Sequence, residues 1–172
     1  MNLIPRFLFI GLALMSFFQL HSQNPKNASC SDRSFDKKVR SLIQYRVPVL
    51  DVDSLAAHPS QYLILDARER EEFDVSHLPE AQFAGYKHFD IEDWKDIDKN
   101  TRIVVYCSVG YRSEKIGKKL KKAGFTHVFN LYGGLFEWVN RHHPLAGDSK
   151  KVHTYNKKWS RWVMNPAVVK VW

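Results

Sequence analysis

The chain has only two cysteines in 172 residues, Cys30 and Cys107. Two thiols close one bridge at most, which excludes a disulfide-built scaffold. There is no Cys-x-x-Cys, and the eight histidines show no zinc-binding spacing, so no metal site is read here. Internal repeats and low-complexity tracts are missing, which excludes solenoids and compositionally disordered chains. The apolar run Phe7 to Phe18 holds about a dozen residues, short of the roughly 20 a membrane-spanning helix needs. No recognisable nucleic-acid motif accompanies the basic residues.

What is present is enough for a globular core. Hydrophobic residues make up 44% of the chain, with five Trp and eleven Phe, a usual share for a packed domain. Lys and Arg number 26 against 18 Asp and Glu, a formal net charge of +8. This excess reads as a solvated lysine-rich helix face plus a basic tail, and no nucleic-acid partner is expected. Such a surface also draws small anions toward the chain.

One stretch carries chemistry. Ile103-Val-Val-Tyr106 is a short apolar, β-branched run that predicts a buried strand. From about Ser113, read as an N-cap, a helical pattern places Ile116, Leu120 and Ala123 on one face and lysines on the rest. Between them lies Cys107-Ser108-Val109-Gly110-Tyr111-Arg112. A cysteine at the C-terminal end of a buried strand sits where open α/β sheets form their ligand crevices. Backbone N–H groups of a short glycine-containing loop turn inward as an anion nest. The helix start and Arg112 add positive charge. All three favour thiolate, the nucleophilic form. On this reading Cys107 is a reactive thiol rather than half of a disulfide, and Cys30 lies in a polar segment.

Cys107-Ser-Val-Gly-Tyr-Arg112-Ser113 resembles the active-site loop of rhodanese-type sulfurtransferases. Leu65-Asp66-Ala67-Arg68-Glu69, with Glu72-Phe73 and Ser76-His77-Leu78-Pro79-Glu80-Ala81, is similar to an early block of that family. Leu131-Tyr132-Gly133-Gly134-Leu135-Phe136-Glu137-Trp138 is similar to its closing Gly-Gly-x-x-x-Trp. The resemblance spans about Val47 to Leu145. Ser76 and Glu80 stand where the family usually has glycines.

The alternation of strands and helices predicts an α/β fold with a mostly parallel sheet and helices on both faces. The resemblance implies the three-layer rhodanese-like version with five strands. It also implies sulfane-sulfur transfer: Cys107 attacks a donor such as thiosulfate or a persulfide, becomes a persulfide, and passes the sulfur to a thiol or to cyanide. In this scheme Ser108, Val109, Gly110, Tyr111, Arg112 and Ser113 hold substrate and persulfide, while Asp66 and Arg68 are framework beside the site. No cofactor is implied. The partners are a small anionic sulfur donor and a thiol acceptor, which a protein can supply. His77 reads as a loop tie rather than a base.

Two alternatives stand beside this one. A rhodanese-like module can carry sulfur or bind a protein without turning over. Cysteine-loop phosphatases and arsenate reductases also close a cysteine loop with arginine, but theirs holds five intervening residues against four here, Ser108 to Tyr111, which disfavours them.

The rest of the chain divides as follows. Residues 1–22 read as a secretory signal peptide, with Arg6 before the apolar run and Ser22 as a small exit residue. The expected mature chain is periplasmic or secreted, with no stable membrane span after cleavage. Asn27-Ala-Ser29 is a glycosylation sequon. Residues 23–46 read as a polar linker with a helical portion near Phe35–Tyr45, and 47–145 as the rhodanese-like domain. Residues 146–172 form a basic, Trp-rich extension. It reads as packing back on the domain, with contact to an anionic membrane as the alternative.

Overall fold

The computed structural model describes residues 28–172; the export signal expected at 1–22 and Asn27 of the sequon lie outside the described residues. In chain order the elements are α1 (Arg33–Arg40), β1 (Val49–Leu50), α2 (Val52–Ala57), β2 (Leu63–Asp66), α3 (Arg70–Val75), β3 (Ser76–His77), β4 (Gln82–Phe83), β5 (Arg102–Tyr106), α4 (Tyr111–Lys122), β6 (His127–Leu131), α5 (Gly134–Asn140), β7 (Ala146–Gly147), β8 (Lys151–His153), α6 (Lys157–Ser160) and β9 (Val169–Val171), with 3-10 turns at Pro59–Gln61 and Glu92–Trp94.

Five strands form one sheet in the order β1-β6-β5-β2-β4, and every pairing in it is parallel. Strand side chains alternate between faces, so Ile103 and Val105 of β5 join one apolar cluster while Val104 and Tyr106 join the other. Helices α1, α2 and α5 cover the second face through Phe35, Val39, Leu55, Leu135 and Phe136. Helix α4 covers the first through Ile116 and Leu120, helped by Phe89 and Trp94. This is the expected α/β sandwich of helices around a parallel sheet. The two-residue edge strand β4 has no apolar run to announce it.

Sheet order sets the position of the site. From β2 the chain moves outward to β4; from β5 it moves the opposite way to β6. Between β2 and β5 the direction of travel reverses, and the C-terminal ends of these two strands flank a crevice. The register places Asp66 opposite Tyr106 at that edge, so Asp66 and Cys107 emerge side by side.

Both flanking segments are built into the packed unit. In the segment expected as a polar linker, the helical portion is Arg33–Arg40, earlier than the expected Phe35–Tyr45; it is N-capped by Asp32, with Phe35 and Val39 fully buried. Burial of side chains of this size contributes about 2 kcal/mol each, which a tethered linker forgoes. The C-terminal extension is likewise folded onto the domain. Val152 and Val163 are fully buried, and Trp162 packs its ring 5.6 Å from that of Phe35. Asn140 Nδ2 donates to Trp162 O at 2.9 Å, and Asn165 Nδ2 donates to Val139 O at 2.9 Å. Among the described residues no helix is long and apolar enough to cross a membrane.

Candidate active site

Cys107 follows β5 directly and is 1% exposed. Gly110, at φ 105°, caps α4, a left-handed conformation that glycine adopts without steric cost. The helix thus begins at Tyr111, its cap three residues before the expected cap, Ser113. Ser113 lies inside the first turn, where its hydroxyl donates to Asn130 Oδ1 at 2.7 Å and stands 3.6 Å from Cys107 Sγ. Asn130 in turn donates to Gly110 O at 2.9 Å, bolting the loop to β6.

The sulfur sits in a ring of N–H groups. Gly110 N donates to Cys107 Sγ at 3.2 Å, and the peptide N–H groups of Ser113 and Val109 also favour the thiolate. Burial alone pushes this thiol up; the Arg112 guanidinium and these hydrogen bonds outweigh it and hold the Cys107 pKa below its ordinary value. The carbonyls of the same loop point the other way. Leu135 N donates to Cys107 O at 2.9 Å and Phe136 N to Ser108 O at 3.1 Å, at the N-terminus of α5. A Cβ on Gly134 would lie 2.3 Å from Cys107 O. Glycine at that position lets the helix end seize the loop carbonyls and leaves the N–H groups for the sulfur.

Arg112 is not free to meet a substrate anion unaided. Its NH1 donates to Glu72 Oε2 at 2.5 Å and its NH2 to Glu72 Oε1 at 2.8 Å, a bidentate fork. NH2 also reaches Ser108 Oγ at 3.0 Å. Burial lowers the Arg112 pKa, but the Glu72 and Cys107 charges prevail and raise it. Glu72 is 3% exposed; burial pushes its carboxyl up, and the Arg112 contact overrides this and lowers it. Glu72 went unassigned from sequence. Its signal was the Glu69–Glu72 spacing: the two side chains form a reciprocal capping box at the start of α3.

Asp66 and Arg68 are both fully buried and paired at 2.7 Å. Arg68 NH2 also donates to Ser76 O at 2.6 Å. The pair braces the loop after β2. His77 Nδ1 lies 3.0 Å from Phe73 O and its ring stacks on Phe73 at 3.9 Å, a tie between α3 and β3. Of the two departures from glycine, Glu80 adopts φ 63°, the region glycine would occupy. Ser76 uses its hydroxyl to donate to Lys151 O at 2.6 Å, docking the C-terminal extension. Cys30 is buried elsewhere; both cysteines are free thiols, and burial with the Glu137 and Asp36 carboxylates pushes the Cys30 thiol well up.

A pocket of about 390 Å³ opens above Cys107. Ser108, Val109, Tyr111 and Arg112 line it from the loop and α4, Glu69, Tyr86 and Lys87 from the opposite rim. Leu42, Tyr155 and Trp159 complete it from the two flanking segments. Sequence reading placed none of those three near the cysteine.

A parallel sheet with a buried, thiolate-favouring cysteine cradled between a central strand and a helix start defines the class: an α/β protein with a cysteine loop at its crevice. The chain belongs to the rhodanese-like domain family, whose model matches residues 51–141. It is 39% identical over 88 residues to a tRNA uridine(34) hydroxylase of Aster yellows witches'-broom phytoplasma, covering 48% of this chain and 29% of that protein. It is 32% identical over 102 residues to an adenylyltransferase and sulfurtransferase of Candida albicans, covering 55% and 23%. The match therefore spans less than a third of either relative. Among solved structures, the rhodanese-like domain of an Anabaena protein superposes with a TM-score of 0.54 at 26% identity, covering 58% of this chain and 79% of that one.

Proposed function

We propose that this chain is a sulfurtransferase that moves sulfane sulfur through a Cys107 persulfide. The observation that carries the reading is the sulfur's environment: a buried thiol whose pKa is nevertheless lowered, ringed by peptide N–H groups at the base of an open pocket. Such a group is a nucleophile before any substrate arrives.

In the first step the Cys107 thiolate attacks the outer sulfur of the donor. The new S–S bond forms as the donor's own bond to that sulfur breaks, and the electron pair leaves with the sulfur-free donor (sulfite from thiosulfate, a thiolate from a persulfide). The Gly110 N–H and its neighbours stay in place to hold the negative charge now on the outer sulfur, by the physics of an oxyanion hole. In the second step an acceptor thiol or cyanide takes that sulfur and the electron pair returns to Cys107. Arg112, held by Glu72, keeps its charge beside the sulfur throughout.

Steady-state kinetics with thiosulfate and either cyanide or a small thiol test the reading. Parallel double-reciprocal lines, the mark of a ping-pong cycle, are expected. Stoichiometric loading without turnover would favour a sulfur carrier instead. The signal-like residues 1–22 support export to a periplasmic or extracellular space, where the donor would be met.

A further inference from the structure

The pocket above Cys107 is far larger than the sulfur chemistry requires, and its walls are aromatic. Thiosulfate is a small dianion. A volume of about 390 Å³ lies instead within the range of sites for organic ligands. Its apolar lining comes from Leu42, Tyr86, Val109, Tyr111, Tyr155 and Trp159. The charge in reach does not select a dianion either: Arg112 is neutralised by Glu72, and Lys87 and Glu69 bring one charge of each sign.

Tyr155 is the informative residue. Its side chain belongs to no core, since the residue is 57% exposed. Its backbone sits at φ 66°, a region disfavoured for a bulky residue. The local structure holds it there. Tyr155 N donates to His153 Nδ1 at 3.1 Å, Asn156 N donates to Thr154 O at 2.7 Å, and Asn156 Oδ1 caps α6 by accepting from Trp159 N at 3.1 Å. The ring centroid lies 5.6 Å from the carbon of the Arg112 guanidinium, and the residue lines the cysteine pocket. A strained turn that places an exposed aromatic ring in the wall of the pocket that holds Cys107 is positioned for a ligand.

We infer that Tyr155 and Trp159 of the C-terminal extension form a donor subsite, and that the sulfur donor is an organic sulfane-sulfur compound with an apolar, planar body. This inference rests on the sulfur-transfer reading of Cys107. The body lies between Tyr155, Trp159 and Tyr111 while the terminal sulfur reaches Cys107 Sγ. The S–S bond of the donor breaks, its sulfur becomes the outer atom of the Cys107 persulfide, and the electron pair departs on the organic fragment.

Two donors with one reacting group separate body from charge. Methanethiosulfonate and benzenethiosulfonate ions each carry one negative charge and one sulfane sulfur, and each leaves as a sulfinate. Sulfinate release to a common thiol acceptor is measured with the full chain. Burial of an aromatic ring predicts a kcat/KM about tenfold to a hundredfold higher for the benzene compound. Tyr155→Ala should bring the ratio down to a few-fold by raising KM far more for the benzene donor than for the methane donor, and Tyr155→Phe should restore it. An equal kcat/KM for the two donors, or a ratio that survives Tyr155→Ala, overturns the subsite and leaves sulfur transfer standing. Failure of both donors and of thiosulfate to load Cys107 overturns the sulfur-transfer reading and the subsite with it.

Discussion

Glu72 and Arg112 should move the Cys107 pKa in opposite directions when each is removed. Glu72→Gln keeps the shape of the side chain but deletes its charge. Of the two negative charges that act on Arg112, only the Cys107 thiolate then remains, so the thiolate is held more strongly. A neighbouring charge shifts a pKa by about 1–3 units. Glu72 acts from behind Arg112, so its removal should lower the Cys107 pKa by less than the loss of Arg112 raises it. Arg112→Ala removes the attractive charge itself and leaves Glu72 buried without its fork, so the Cys107 pKa should rise. Both variants lose stability, because the pair is largely buried, with side chains 14% and 3% exposed. Breaking such a pair costs about 3–5 kcal/mol, and Glu72→Gln should sit at or below the low end, since the amide oxygen still accepts from Arg112. The assay is iodoacetamide alkylation of Cys107 followed by peptide mass spectrometry across pH, with urea unfolding in parallel. A Cys107 pKa that rises in Glu72→Gln, or stays unchanged in Arg112→Ala, refutes this account of the thiolate.

Other substitutions test other parts. Cys107→Ser should abolish sulfur loading while Cys30→Ser retains most of it; equal loss in both would point to a two-thiol mechanism. Gly134→Ala drives a methyl into Cys107 O, 2.3 Å from the ideal Cβ position, at φ 56°; a loss of about 2 kcal/mol or more in urea unfolding is expected, together with weaker thiolate stabilisation. The Glu72 pKa is lowered from 4.5, so the unfolded chain binds this proton first: the stability it contributes is present above about 4.5 and is lost as pH falls through the folded value. Acid unfolding of Glu72→Gln should therefore be less steep than that of the wild type in this range. N-terminal sequencing of the protein from its host should find a chain starting near Gln23; an intact Met1 in a cytosolic fraction would contradict export.

The central strand, its loop and the following helix are legible in the sequence because their signals are local. Ile103–Tyr106 is one apolar run, Gly110 stands where the backbone turns left-handed, and Gly124, at φ 96°, ends α4, with Phe125 N donating to Leu120 O at 3.2 Å. Asp66 and Arg68 are two residues apart, so their pairing could be anticipated. What escaped is non-local. Glu72 and Arg112 are 40 positions apart, and nothing in either neighbourhood names the other. Asn130 lies in a strand whose hydrophobic pattern hides its polar role. Tyr155 and Trp159 belong to a basic segment whose composition fits a membrane surface as well as a protein face. Their place over Cys107 follows from docking at Ser76, Asn140 and Val139, partners scattered along the chain. The helix cap was misplaced by three residues because Ser113 has the residue type of an N-cap while its hydroxyl is engaged with Asn130.

The most direct test of the account is the mass of Cys107 after one exposure to donor. The full chain is incubated with thiosulfate or benzenethiosulfonate, digested without reductant and measured peptide by peptide. The account predicts one added sulfur atom on the peptide that contains Cys107, one sulfite or sulfinate released per chain, and removal of that sulfur by a thiol. An unmodified Cys107 peptide after treatment with both donors, or added sulfur only on Cys30, would contradict it.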